Sequence, residues 1–251
     1  MEAILRRVIA TVLALGTAGV CVRLGLWQID RHEQRKASNA VIAARIEQDT
    51  VVLMSADLPD SMEYRMIRAV GVFDRSREIV EQGRAVNGVP AVYVATPLVT
   101  PEGFAVLVER GWAPSASARS VDLVALREPD TSHVEGMLLR LDGGSVPLDT
   151  SWPLYVRRAD PAVLQPLFPY PLAPLVLRRT ILPPGAPAGL RPAPLPQLTA
   201  GPHLSYALQW FAFAMIAVIG PLIAAGVFTK RASPRNTDAG PLLTSTRPDA
   251  K

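Results

Sequence analysis

The sequence predicts an α+β protein in which two transmembrane helices flank a mainly antiparallel, barrel-like extracytoplasmic β domain. Three observations lead there. Apolar runs stand near both ends, Val8–Trp27 and Tyr206–Phe228. Between them lie several short stretches rich in β-formers, separated by turn signals and with few helical patterns. A segment with six prolines in fourteen positions, 183–196, leads into the second run.

The chain has 251 residues, 49% of them hydrophobic, and a mean hydropathy of +0.21. That balance fits one extramembrane domain plus a few spans. The net charge is +4, but the arginines are scattered and form no basic stripe interleaved with aromatics, which argues against nucleic acid as a partner. Basic residues beside apolar runs have a simpler use against the lipid bilayer, in fixing orientation and meeting anionic headgroups. Cys21 is the one cysteine; it excludes an internal disulfide and a cysteine-rich metal site, and chooses no compartment.

The first run follows Arg6 and Arg7 and ends at Arg23 and Trp27, residues suited to snorkelling and to the aromatic belt. A signal peptide is the alternative, but no A-x-A-like site follows and Val20 spoils a lipoprotein-type site before Cys21, so an uncleaved helix is expected over 8–27. The second run, 206–228, reaches about 34 Å as a helix, enough to cross a hydrocarbon core of about 30 Å. Lys230, Arg231 and Arg235 follow it and place the carboxyl terminus in the cytoplasm. Arg6 and Arg7 agree for the amino terminus. Arg23, Arg31, Arg35 and Lys36 disagree, but the intervening segment exceeds the roughly 60 residues within which such charges govern translocation. The expected organisation is a cytoplasmic 1–7, spans at 8–27 and 206–228, an extracytoplasmic 28–202, and a disordered cytoplasmic tail 229–251. With only seven residues before the first span there is no room for an organellar presequence, which points to a bacterial plasma membrane. Ala10, Ala14 and Ala18 on one helix, and Gly220 and Ala224 on the other, offer small-residue notches for pairing. Pro221 is expected to kink the second helix.

After Trp27 the helix should continue to about Ile46, with a small apolar face at 37, 40, 41 and 44. Met66–Phe73 and Glu78–Val80 read as strands around a polar break at 74–77. Ala91–Val94 and Phe104–Glu109 flank Thr100-Pro101-Glu102-Gly103, a type I turn closing a hairpin. Val134–Leu141 and Leu175–Arg179 are two more strands. Between them Asp160-Pro161 reads as a cap and a first helical position, opening a short helix through Leu167 that Pro169 ends. The proline-rich 183–196 reads as a semi-rigid, polyproline-like strut.

Little material for catalysis exists. His32 has no second ligand at i+3 or i+4 and belongs to a solvated face. His133, with Thr131, Ser132, Asp130 and Glu135 nearby, allows a triad to be imagined, but no G-x-S-x-G or H-E-x-x-H accompanies it. The glycines, among them Gly83, Gly88 and Gly111, read as turn residues. His203 stands apart by its position. If Gly201 caps the helix and Pro202 opens it, His203 lies in the first turn, where the dipole favours a neutral imidazole. Tyr206, Ala207 and Trp210 follow at i+3, i+4 and i+7. A flat macrocycle with iron on His203 and a plain interfacial aromatic belt are both compatible with that pattern.

Together these stretches resemble the SURF1 (Shy1) family of cytochrome c oxidase assembly factors. Leu24-Gly25-x-Trp27-Gln28-x-x-Arg31 is similar to the family's entry motif, and Tyr64-Arg65 with Gly71-x-Phe73-Asp74, Gly88, Tyr93 and Thr96-Pro97-Leu98 to its central block. Val106-Leu107-Val108-x-Arg110-Gly111-Trp112-x-Pro114 resembles its most recognisable stretch, and His203-Leu204-x-Tyr206-Ala207-x-x-Trp210-Phe211 the motif opening its second span. The chain departs from the family pattern at Gly201-Pro202, where a pair of asparagines is common, and at Glu109. The resemblance implies a non-enzymatic factor that assists haem a delivery or insertion at the outer membrane face, with His203 as the iron contact and Tyr206 and Trp210 beside the haem. It implies cytochrome c oxidase subunits, subunit I being one candidate, or a respiratory supercomplex as partners. It gives Gly25, Trp27, Gln28, Arg31, Tyr64, Arg65, Gly71, Phe73, Arg110, Gly111 and Trp112 structural or partner-surface roles. Two other readings stay open: a structural accessory subunit that remains on the oxidase, and a membrane-anchored hydrolase using His133.

Overall fold

The computed structural model describes residues 1–128 and 133–224. Asp130, Thr131 and Ser132, the expected span end at 225–228, the basic group Lys230, Arg231 and Arg235, and the tail 229–251 lie outside the described residues. The elements in order are α1 (Glu2–Ile46), β1 (Val51–Val52), β2 (Met66–Val70), β3 (Val72–Phe73), β4 (Ile79–Val86), β5 (Val89–Val99), β6 (Ala105–Pro114), β7 (His133–Leu139), β8 (Leu154–Val156), α2 (Pro161–Leu164), β9 (Val176–Arg179) and α3 (His203–Ala224). They fall into two units: Met1–Glu33 with the chain from Gly201, and Gln34–Ala200.

In the first unit both α1 and α3 contain stretches long and apolar enough to cross a membrane, as a membrane protein requires. Their exposed side chains, among them Leu13, Leu15, Leu208, Ile216 and Ile223, are those a lipid-facing surface carries. The helices pack through Ala18, Cys21 and Ala214, with Trp210 and Ala217 against them. Small residues seven apart line this seam, Ala18 and Gly25 on α1 and Ala207 and Ala214 on α3, all buried. Of the expected four-residue notch Ala18 lies in the seam, whereas Ala10 and Gly220 are exposed, because a seam between two long helices follows the heptad rather than a single diagonal row.

The second unit is a nine-stranded mixed sheet with the order β1-β2-β7-β9-β6-β5-β4-β8, and β3 attached to β5. Most pairings are antiparallel; β1 with β2, β4 with β8 and β6 with β9 are parallel. Four steps separate β2 from β5 along the sheet, about 19 Å if it lay flat. Yet Val70 ends β2 and Val72, two residues on, pairs with Val99 of β5. The sheet must curl to bring them together, which is the barrel-like character expected. Gly71 makes this corner, and a Cβ there would collide with the Val99 carbonyl.

Strands β5 and β6 are buried almost throughout, as strands covered on both faces are. On one face Ile67, Phe73, Leu98, Val106, Val108, Leu138 and Leu177 form an apolar cluster; on the other, Ile79, Leu107, Leu154, Leu164, Phe168 and Val176 do. The short helix forms as its sequence requires, with Asp160 accepting a hydrogen bond from the Ala162 amide and Pro161 in the first turn. The carboxyl-terminal end of α1 rests on Asn39, Ile42, Ala43 and Ile46; the expected face at 37, 40, 41 and 44 is exposed, because the two isoleucines bury more apolar surface than the alanines. The proline-rich segment is not a free strut. It makes turns at 183–186 and 187–190, bridges Trp112 through Arg191 and buries Leu190 and Ala193.

Each face also carries an ionic layer between apolar clusters. On the first, the bulge at Val94/Ala95 leaves Arg110 as the extra residue in β6. Its guanidinium is fully buried, donating to Glu78 at 2.9 Å and to the Leu126 carbonyl at 3.3 Å, with Glu128 at 3.6 Å. Glu128 also takes two bonds from Arg179, at 2.6 and 2.8 Å. On the second face Glu81 and Glu109 are both fully buried. Arg178 grips Glu109 with two hydrogen bonds, 2.5 and 3.2 Å, whereas Glu81 has the Ala159 amide at 3.2 Å and Arg84 at 3.7 Å. Burial, and then the Glu109 charge, push the Glu81 carboxyl up to about 7.

Two outcomes are expected. Arg110→Ala strands the buried Glu78 carboxylate and leaves Glu128 to Arg179 alone, and should cost about 3–5 kcal/mol in urea unfolding of the detergent-solubilised full chain. A pKa raised from 4.5 means that the stability tied to neutral Glu81 is intact below pH 4.5 and lost as pH rises through about 7. Glu81→Gln should remove that slope, raising stability at pH 8 relative to wild type by on the order of 3 kcal/mol, with little change at pH 4.5.

Candidate functional site

The candidate site is built where the two helices of the first unit begin their seam. Gly201 adopts a left-handed conformation, φ +71°, which turns the chain into α3. The carbonyl of Pro202 accepts from the Tyr206 amide at 3.2 Å and from the Ser205 hydroxyl at 2.7 Å. Pro202 is therefore the capping position and His203 the first helical residue, one place earlier in the helix than the expected arrangement. The imidazole of His203 is half-buried, and its Nδ1 lies 2.8 Å from Oε1 of Gln28 on α1.

One turn of α1 before Gln28, Gly25 allows the approach. A Cβ there would stand 2.6 Å from the Phe211 ring, so only glycine admits that ring. The two stretches read separately, Leu24-Gly25-x-Trp27-Gln28 and His203 to Phe211, thus meet twice in one place. His32, one turn beyond Gln28, has a buried Nδ1 with no hydrogen-bond partner among the described residues. Trp27 is partly exposed beneath the Arg31 guanidinium, 5.6 Å from the ring centre. Arg23, Leu24 and Trp27 line a shallow cavity of about 340 Å³.

The three aromatic-face residues do not act together. Ala207 is buried in the seam; Trp210 packs there and meets Phe213 edge-on at 5.9 Å. Tyr206 faces outward, 46% exposed, and the exposed Leu204 and Leu208 lie on the opposite side of the helix. Among the described residues no three His, Cys, Asp or Glu side chains cluster to hold an ion.

The other singled-out residues lie in the second unit and are absorbed by its architecture. Tyr64 has φ 67°; its amide donates to the Leu138 carbonyl at 2.8 Å, and Arg65 accepts from the Leu138 amide and reaches the Asp49 carbonyl. Burial and neighbouring Glu63 raise the Tyr64 pKa. Phe73 is buried with Arg75 and Arg179 each 5.7 Å over its ring. Burial acts against charge on Asp74, but hydrogen bonds from Ser76, Tyr170 and Arg77 outweigh it and hold the carboxyl below its usual range. Gly111 faces the Arg191 carbonyl where a Cβ would collide, and Trp112 donates from Nε1 to the Pro192 carbonyl at 3.0 Å. His133 opens β7 at an exposed position, lining a shallow cavity with Arg68, Val70 and Glu135; the residues imagined beside it, Asp130, Thr131 and Ser132, are outside the described residues.

Comparison with known proteins decides the family. The SURF1 family model matches residues 15–215. The chain belongs to the SURF1 family. It is a family of cytochrome c oxidase assembly factors, not typically catalytic. A SURF1-like protein of Rickettsia felis is 30% identical over 102 residues, 40% of this chain and 44% of the relative. One of Rickettsia conorii is 27% identical over 119 residues, 47% of this chain and 48% of the relative. The chain thus spans about half the length of these two relatives. An uncharacterised SURF1-like protein of Mycobacterium bovis is 25% identical over 206 residues, 78% of this chain and 74% of the relative.

The signal that sequence spacing missed is the partner of His203, since 175 positions separate it from Gln28. If the seam holds the pair together, Gly25→Val should lower the thermal stability of the purified full chain by about 1–3 kcal/mol through overpacking against Phe211. Phe211→Ala in the same chain should recover part of the loss, which a local effect on α1 alone would not permit.

Proposed function

We propose that this chain is an assembly factor for haem-copper cytochrome c oxidase that assists haem a delivery or insertion at the outer face of a bacterial plasma membrane, with both termini in the cytoplasm. The observation that carries the reading is the meeting of the two helix motifs at His203 and Gln28. An imidazole whose Nδ1 is engaged keeps Nε2 for a ligand, and the exposed ring of Tyr206, at i+3 on the same face as His203, offers a flat neighbour to an apolar group. His203 would hold haem a through an imidazole nitrogen on its iron, with Tyr206 beside it; Trp210, tied into the seam, would set the helix rather than touch the haem. Haem a, when bound, supplies an iron that accepts one such nitrogen. The partners on this reading are oxidase subunits, with subunit I the candidate that would receive the haem.

The test is the absorption spectrum of the protein purified from cells that make haem a. Haem absorbance in the wild type that is lost in His203→Ala is the expected result. No haem absorbance in either would overturn the carrier role. Stoichiometric co-purification with mature oxidase would favour a resident accessory subunit instead.

A further inference from the structure

We propose that Gln28 is a positioning residue: it fixes His203 as the Nδ1–H tautomer and so makes Nε2 the ligating nitrogen. An amide oxygen can only accept, so the 2.8 Å contact between Gln28 Oε1 and His203 Nδ1 requires the proton on Nδ1. A neutral imidazole then carries its lone pair on Nε2. Histidines that bind metals are commonly held this way, with the second ring nitrogen donating to a carbonyl or carboxylate that sets tautomer and ring angle. Here the acceptor is a side chain of the neighbouring helix, and both ends are held. Gly25 packs on Phe211 one turn from Gln28, and the Ser205 hydroxyl donates to the Pro202 carbonyl at the start of α3.

The other edge of the ring is kept clear by Gly201. A Cβ at that position would stand 3.5 Å from Nε2 and 3.4 Å from Cδ2, so a longer side chain there would lie along the edge that must receive a ligand. Glycine places no side chain there. The identity of the ligand rests on the haem reading above, whereas the tautomer assignment does not.

The test uses the full chain in lipid nanodiscs with ¹⁵N-labelled histidine and long-range ¹H–¹⁵N spectra, followed by titration with haemin. The wild type should show Nδ1 protonated and Nε2 bare. Gln28→Leu should shift the population toward the Nε2–H form and weaken haemin binding roughly tenfold, while Gln28→Glu, which keeps an acceptor, should restore both. An Nε2–H tautomer in the wild type, or a spectrum and an affinity that do not change in Gln28→Leu while His203→Ala abolishes binding, would overturn the positioning role and leave the haem reading intact. The expected tautomers without haemin binding by the wild type would overturn the haem reading and leave the tautomer assignment standing. A purely structural Gln28 would alter stability without this exchange of protonated nitrogen.

Discussion

Complete burial of the Arg110 guanidinium sets the terms for the rest of the β domain. Taking such a charge out of water costs several kcal/mol, and the pairing that offsets it must come from more than one carboxylate. Glu78, Glu128 and the Leu126 carbonyl supply it, and Glu128 in turn needs Arg179. These groups come from β6, the approach to β4, the loop before β7 and the end of β9, so one side chain ties four distant parts of the chain together. Slipping β6 by one residue would carry Arg110 to the opposite face, away from both carboxylates, and leave Arg110 and Glu78 unpaired, with Glu128 held by Arg179 alone. A purely apolar layer would tolerate that slip far better.

The same reasoning explains why several residues of the motifs that resemble the family's pattern serve backbone geometry. Gly71 makes the corner where the curling sheet passes from β2 to β3, and Gly111 leaves space for the Arg191 carbonyl. Trp112 then clasps the proline-rich segment through its indole nitrogen and a backbone bridge. Glu109 is accounted for by its two bonds from Arg178, which balance its charge but leave its neighbour Glu81 holding a proton to about neutral pH.

The strands with dense β-branched and aromatic content, the turn at Thr100–Gly103 and the Asp160-Pro161 helix start were all legible in the sequence, because each is decided by local chemistry. Val51–Val52 and Leu154–Val156 were not: they are two- and three-residue strands held by parallel pairings to partners far away in sequence. Asn87-Gly88, both with positive φ, carried a hairpin signal in plain view, joining β4 and β5. The ionic layers could not be read, since Arg and Glu in a strand look solvent-facing until a bulge and a covered second face turn them inward. His203 could be singled out by its place at a helix mouth. Its partner could not, because nothing in a linear spacing links a residue on α1 to one 175 positions later.

That partner bears on the choice between an aromatic belt and a cofactor contact. A belt residue needs its ring at the interface and its polar edge in water; it gains from rotating freely among headgroups and waters. Tying Nδ1 to an amide on another helix removes that freedom and costs side-chain entropy on both residues. It also commits a polar pair to a seam whose other members are apolar, Ala18, Cys21 and Ala214 with Trp210 and Ala217, where apolar contact alone would join the helices. The arrangement becomes economical when the ring must be held at one angle with one particular nitrogen outward, as a metal-contacting imidazole is. Under the proposed function the pair is what a ligand seat requires and a simple anchor does not, on grounds independent of the family to which the chain belongs.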